Sequence, residues 1–402
     1  MPFNQLMTSD AGPDDDKKSE EFGRGHRLLF VINDGGFFLS HRLAIGQAAQ
    51  RAGFEVLVAC PECHGSARIR ALGFQCITLK FDRWSRGLGA QLSTLRELCT
   101  LYRNVRPSIV HHVTIKPVLL GSLAARLAGV PAVINAISGL GFVFVARGVR
   151  AALRRAMVQI LYRSALRHPN QRTIFQNPDD LELFIERNLT QRAATLLIRG
   201  SGVDSDLFAF TPEPVPPLQI LLPARLLQDK GIAEFVDAAQ FLRERGVKAR
   251  FIVAGDIPHG NPAAISAADL SRWSKNGSVE FVGYSADMRT LLEQSHIVCL
   301  PSYREGLPLA LLEAACVGRA IVASDVPGCR EIVQNEVNGI LVPPRSAIHL
   351  AEALATLIED PELRNRMAVN GRRLVTQGGF DRDSVVRQHL MLYRQMLGAK
   401  LN

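Results

Sequence analysis

The stretch "RLLFVINDGGFFLSHRLAIGQAAQRAGFEVLVAC", Arg27 to Cys60, holds two short apolar runs separated by a Gly-containing turn and a longer amphipathic run. Continuous runs such as "RLLFVI" and "FEVLVAC" fit strands covered on both faces, whereas "SHRLAIGQAAQRAG" has helical spacing. The alternation recurs in "PSIVHHV" followed by "PVLLGSLAARLAG" and continues to "ATLLIRG" near Gly200. It predicts a parallel sheet with helices on both faces. "FTPEPVPPLQ" then concentrates Pro212, Pro214, Pro216 and Pro217, which suits an extended linker. Beyond it the alternation restarts with "QILLPAR", "GIAEFVDAAQFLRERG", "KARFIVAG", "SVEFVG", "HIVCLPS" and "AIVASD". The expected architecture is α/β in two similar domains. Residues 1–25 form a disordered polar tail, 26–205 the first domain, 206–217 the linker and 218–378 the second domain. Residues 379–402 form a helix packing back on the first domain.

At 402 residues and 47% hydrophobic content the chain can bury two cores, and its net charge of +9 favours an anionic partner: nucleic acid, anionic lipid or a phosphorylated small molecule. The N-terminus lacks a basic segment followed by an apolar one, so a cytoplasmic location is expected. Seven cysteines fit reduced thiols. "CPECH", Cys60 to His64, spells a haem-attachment pattern, but such attachment requires export. A zinc site would need a second ligand pair, so a strand entering a polar loop is the better reading and no metal is expected. The uncharged run Leu127 to Ala146 contains Gly129, Pro131, Asn135, Ser138, Gly139 and Gly141, which break a membrane helix. It reads as the strand "AVINAI" and a Gly-rich loop.

Ligands of open parallel sheets collect at the carboxyl ends of strands, so chemistry is sought in the loops that follow them. In "NDGGFFLSHR", Gly35 and Gly36 either let backbone approach an anion or simply make a turn; His41 follows, facing crevice or solvent. In "ARLLQDKG", Arg225 and Lys230 bracket a turn able to hold a diphosphate, or are solvated charges. In "YREGLPLALLEA", Gly306 and Pro308 keep Glu305 and Glu313 off one helix: Pro308 suits the first helical position, Glu305 lies in the loop and Glu313 inside the helix. Carboxylates in those two places accept hydroxyl hydrogen bonds and suit a grip on a nucleotide sugar. Glu331 in "SDVPGCREIV" either joins this site or begins a helix. Between Ala146 and Arg172 seven arginines, among them Arg147, Arg150, Arg154 and Arg155, interleave with apolar residues and no acid. With "GFVFVA", which carries Phe142 and Phe144, this stretch fits an anionic membrane surface or a solvated helix face.

"ARLLQDKGI", "VAGD", "FVGY", "LPSYREGLPLALLEAACVGRAIVASDVPGCREIV" and "NGILVPP" together resemble the donor domain of retaining glycosyltransferases of family four. These have the GT-B fold, two Rossmann-like domains facing a central cleft. The first domain, through "FFLSHRLAIGQAAQRAGFEVLVACP" and "HHVTIKPVLLGSLAARLAGVPAVINAISGLGFVF", is similar to bacterial enzymes that extend undecaprenyl-linked sugars, including lipid-linked bacillosamine α-1,3-N-acetylgalactosaminyltransferases. The resemblance implies metal-independent transfer of an N-acetylhexosamine or hexose from a UDP-sugar co-substrate to a lipid-linked saccharide, at the inner face of the cell membrane. By position, Arg225 and Lys230 would neutralise the departing diphosphate, Glu305 hold the transferred sugar and Glu313 the ribose. The backbones of Gly306 and Leu307 would contact sugar or phosphates. Where family members often carry a His, this chain has Ser138 in "AISGLG"; His41, His112 and Lys116 are the other acceptor candidates.

Four other classes fit less well. A nucleotide-sugar epimerase or hydrolase of the same architecture leaves the arginine-rich segment unexplained, and a non-catalytic binding subunit leaves the intact Arg, Lys and Glu set unexplained. No aromatic and basic platform for nucleic acid is present. A glycosidase needs its carboxylates across one bond, about 5 to 10 Å apart.

Overall fold

The computed structural model describes residues 21–80, 87–139, 149–258 and 260–398, without the side chains of residues 64 and 149–154. Seven strands form one sheet: β1 (Arg27–Ile32), β2 (Glu55–Pro61), β3 (Gln75–Leu79), β4 (Ile109–Val113), β5 (Ala132–Ile137), β6 (Gln171–Phe175) and β7 (Thr195–Leu197), in the order β3-β2-β1-β4-β5-β6-β7. Six more form a second: β8 (Gln219–Pro223), β9 (Arg250–Ala254), β10 (Glu280–Gly283), β11 (Ile297–Leu300), β12 (Ala320–Ser324) and β13 (Gly339–Val342), in the order β10-β9-β8-β11-β12-β13. The pairings β1 with β4 and β8 with β11 are parallel, and each marks the point where strand order reverses. Loops at the carboxyl ends of such a reversal open into a crevice.

By packing, the described residues within 1–136, 165–172 and 386–402 make one compact unit and those within 137–164 and 173–385 the other. In the first, β1, β2 and β4 are buried almost throughout, as their unbroken apolar runs require. The helix Arg382–Gly398 contributes Tyr393, whose hydroxyl lies 2.8 Å from Nδ1 of the buried His111. Residues 21–25, assigned to the tail from sequence, are an anchored turn: Phe22 packs edge-on against Phe54 at 5.3 Å, and the Gly23 N–H donates to the Ala52 carbonyl.

In the second unit the Pro-rich stretch is held in place. The buried Arg319 guanidinium donates to the carbonyls of Thr211, Pro212, Leu292 and Glu293 and to the Thr211 hydroxyl. Arg364 pairs with Glu213 at 2.6 Å, and Arg372 donates to the Phe208 and Ser205 carbonyls. Arg319 and Arg372 satisfy carbonyls that prolines and irregular backbone leave without ladder partners, and Arg364 anchors the Glu213 carboxylate, so residues 205–213 form a strap held within the second unit.

Candidate active site

The second unit's site is built by two loops at the carboxyl ends of adjacent strands, 224–231 after β8 and 301–308 after β11. Gly231, at φ 72°, lets the first turn approach the second: a Cβ there would stand 2.2 Å from the Pro301 carbonyl oxygen. The Tyr303 N–H donates to the Asp229 carbonyl at 2.8 Å, and the Tyr303 hydroxyl donates to Glu234 Oε1 at 2.7 Å. These contacts bring Lys230 to Glu305, Nζ to Oε1, at 2.5 Å with both side chains mostly buried. Two roles read apart in the sequence therefore belong to one ion pair. Oε1 of Glu305 is taken by the cation, and Oε2 makes no hydrogen bond among the described residues. Arg225 differs: it is exposed, and its guanidinium has no hydrogen-bond or ion-pair partner there.

The corner between the two glutamates is as its Gly and Pro dictate. Pro308 is the N-cap, one position before the first helical residue, and the helix Leu309–Val317 starts without a side-chain cap, so its positive end is open. Leu307 is buried, and a Cβ on Gly200 would collide with it at 2.6 Å. Gly306 is equally constrained, because a Cβ would lie 2.4 Å from the Ser138 carbonyl oxygen. Ser138 thus meets this loop through its backbone.

Glu313 lies on that helix, and burial pushes its carboxyl up to about 7, opposed only by the charge of Arg382. Arg382 is itself paired with Asp204 at 2.7 Å. The Glu313 carboxylate makes no hydrogen bond among the described residues. A desolvated carboxylate with open acceptor positions is stabilised by a ligand that brings hydroxyl donors. Glu331 is paired with Arg199 at 3.2 Å, and its turn packs against the same loop, since a Cβ on Gly328 would stand 2.5 Å from the Gly306 carbonyl oxygen.

In the first unit two candidates change role. The His112 ring is fully buried between the Tyr102 hydroxyl and Asn135 Oδ1, each 2.9 Å away. Burial lowers its pKa to about 4, so it is a neutral core histidine with both nitrogens in use, not an acceptor contact. A Cβ on Gly35 would stand 2.9 Å from Cys63 Sγ, and one on Gly65 would stand 2.7 Å from Gly36 N: the glycine pair serves close packing between the starts of the helices Gly35–His41 and His64–Ala71. The Gly36 N–H is spent on Asp34 Oδ1 at 2.9 Å. His41 stacks on Phe37 at 4.1 Å and is half-buried, as is Lys116 just after β4. Phe142, Phe144 and Arg147 lie outside the described residues, as do the side chains of Arg150 and Arg154; Arg155 is half-buried on the helix Val149–Ala165.

Sequence reasoning missed Asn177, Asp180 and Arg304. The Asn177 Nδ2 donates to the Gly306 carbonyl at 2.8 Å, and Arg304 is ion-paired with Asp180, whose side chain is 1% exposed. "NPDD" after a strand is a helix-start signature and was a signal for the first two.

Residues 204–374 match the family model described as glycosyl transferases group 1, and residues 27–170 the model described as glycosyl transferase 4-like. The chain belongs to the glycosyltransferases. An N,N'-diacetylbacillosaminyl-diphospho-undecaprenol alpha-1,3-N-acetylgalactosaminyltransferase of Campylobacter jejuni is 29% identical to this glycosyltransferase, over 92% of this chain and 99% of that one. A UDP-Gal:alpha-D-GlcNAc-diphosphoundecaprenol alpha-1,3-galactosyltransferase of Escherichia coli is 26% identical, over 71% and 76%. Among solved structures, HepE of Anabaena in complex with UDP and glucose superposes with a TM-score of 0.74 at 19% identity, covering 92% of this chain and 99% of that one. Sucrose-phosphate synthase of Thermosynechococcus elongatus superposes at 0.75 and 20% identity, covering 93% and 100%. The two parallel-sheet domains are those of the GT-B fold.

Proposed function

We propose that this glycosyltransferase moves an N-acetylhexosamine or hexose, with retention of anomeric configuration, from a UDP-sugar to an undecaprenyl-diphosphate-linked saccharide. The single observation that carries the donor half is the open pair of carboxylates: Glu305 held by Lys230 with one oxygen unspent, and Glu313 half-buried without a hydrogen-bond partner among the described residues. Glu305 receives hydroxyls of the transferred sugar and Glu313 the ribose diol. Arg225, Lys230 and the uncapped start of the helix Leu309–Val317 take the negative charge that develops as UDP leaves, in the manner of preorganised electrostatic catalysis. The leaving phosphate accepts the acceptor's proton on the same face, and no metal is required because two side-chain cations do that work. The acceptor half is supported by the printed names of the two relatives, both of which act on undecaprenyl-diphosphate sugars.

The first domain, residues 26–205, would bind the acceptor, with His41, Lys116 and Ser138 as its remaining candidates, and the second, 218–378, the donor. The protein would act at the inner face of the cell membrane. Among the described residues no helix is long and apolar enough to cross a membrane. The helix Val149–Ala165 exposes Met157 (58%), Ile160 (64%) and Leu161 (37%) on one face, within a segment carrying only basic charge. That combination suits an anionic lipid surface.

The test is incubation of purified protein with a panel of UDP-sugars and short-chain lipid-diphosphate saccharides, read by product mass. One donor and acceptor pair should give a product heavier by one sugar, with the anomer of the donor retained. UDP binding without transfer for any pair would overturn the proposal.

A further inference from the structure

The residues on either side of Glu305 in sequence are both gripped by one short segment more than a hundred positions earlier. On one side, Arg304 is ion-paired with Asp180, whose carboxylate is almost wholly buried. On the other, Asn177 Nδ2 donates to the Gly306 carbonyl at 2.8 Å, while Asn177 itself is 0% exposed. The same Asn177 caps the helix Pro178–Glu186 by accepting from the Asp180 N–H at 2.8 Å, and its Nδ2 also reaches Asp180 Oδ2 at 3.2 Å. The Cα of Gly306 is pressed toward the Ser138 carbonyl and Gln176 Oε1, where a Cβ would lie at 2.4 and 2.7 Å. The fold thus commits two buried polar side chains to the backbone and charge flanking one acid.

The charges explain why an ion pair stands there. Glu305 has cations on both sides, Lys230 in space at 2.5 Å and Arg304 as its sequence neighbour. A guanidinium is a bidentate partner for a carboxylate and would compete with the ammonium and with sugar hydroxyls for Glu305. Asp180 occupies Arg304, and that leaves Glu305 to Lys230 and the ligand.

We infer that Asn177 and Asp180 are positioning residues for transfer: they clamp the 304–306 turn so that Glu305 faces the sugar, and Asp180 does so by sequestering Arg304. This rests on the donor-site reading above and adds to it the residues that set the loop.

The experiment compares wild type with Asn177→Ser, Asp180→Asn and the double variant Asp180→Asn with Arg304→Gln, all in the full chain. Serine keeps the helix cap but is too short to reach Gly306. For each, kcat, donor KM, UDP affinity, melting temperature and amide exchange across residues 303–307 are measured. Asn177→Ser and Asp180→Asn should lower kcat tenfold or more, leave UDP affinity and donor KM within about twofold, and speed amide exchange in the loop. The double variant should recover part of the kcat lost in Asp180→Asn, because the released guanidinium is gone. Unchanged kcat and exchange in both single variants would overturn the inference, as would a double variant no better than Asp180→Asn. If Asp180→Asn does not fold, the decision rests on Asn177→Ser and the double variant, neither of which leaves a lone buried charge. A wild type that transfers no sugar fails the functional reading; loop exchange still decides the clamp.

Discussion

Lys230 Nζ lies 2.5 Å from Glu305 Oε1, and the two side chains are 17% and 11% exposed. A pair this sheltered holds its geometry before a ligand arrives, and removal of either partner strands the other charge in a poorly solvated place. Arg225, exposed and without a side-chain partner among the described residues, could take up its proposed diphosphate contact without breaking an ion pair there.

The two cations should therefore separate on substitution. Arg225→Ala is expected to lower kcat/KM about a hundredfold, as loss of a group that stabilises transition-state charge does, with no change in melting temperature. Lys230→Ala should lose a similar factor and also melt earlier. Thermal unfolding beside steady-state kinetics checks both.

Glu313 predicts a pH signature. Its folded-state pKa is raised from 4.5 to about 7 by burial, so the folded chain holds a proton the unfolded chain has released. That stabilisation is complete below the unfolded value and is lost as pH rises through about 7. Glu313→Gln should thus be more stable than wild type at pH 8, by an amount on the order of 3 kcal/mol, and no more stable at pH 4. UDP affinity in wild type should rise as pH climbs through 7, because in the proposed role it is the ionised form that accepts both ribose hydroxyls. In Glu313→Gln that dependence should vanish; calorimetric titration at pH 6 and pH 8 reads it.

His112 predicts the reverse pattern in stability without a kinetic one. Its folded pKa is depressed to about 4, so the contribution of the neutral ring is present above the unfolded value of 6.5 and lost as pH falls toward 4. Replacement by Gln should cost about 1 to 3 kcal/mol at pH 7 through the unsatisfied Tyr102 or Asn135 group, while kcat and acceptor KM per folded molecule stay at wild-type values. A selective rise in acceptor KM would return His112 to the binding site.

The exposed stripe on the helix Val149–Ala165 predicts lipid binding. Changing Met157, Ile160 and Leu161 to Ser together should reduce sedimentation with vesicles containing anionic lipid by tenfold or more, with turnover of a short-chain soluble acceptor unaffected. Equal sedimentation of variant and wild type would remove this face from the membrane.

Much of this was legible in the chain. Buried parallel strands write themselves as unbroken apolar runs, and "EGLP" divides Glu305 from Glu313 because Gly and Pro place a corner there. Other features depend on distance through the fold. The Lys230–Glu305 pair joins positions 75 apart, and the Asn177–Gly306 bond positions 129 apart; local spacing carries no trace of either. His112 illustrates a different limit: "HHV" at a strand end suits a crevice or a core equally, and only the ring's neighbours Tyr102 and Asn135 decide. The glycine pair Gly35 and Gly36 likewise reads as room for an anion until Gly65 is seen to fill it.

The division of labour across the Gly306–Pro308 corner is tested most directly by UDP affinity and sugar transfer measured side by side in Glu305→Ala and Glu313→Ala. Glu305→Ala should abolish transfer while binding UDP within about threefold of wild type, and Glu313→Ala should weaken UDP itself by tenfold or more, the scale of a charge-assisted hydrogen bond. Equal loss of UDP binding in both variants would contradict the account.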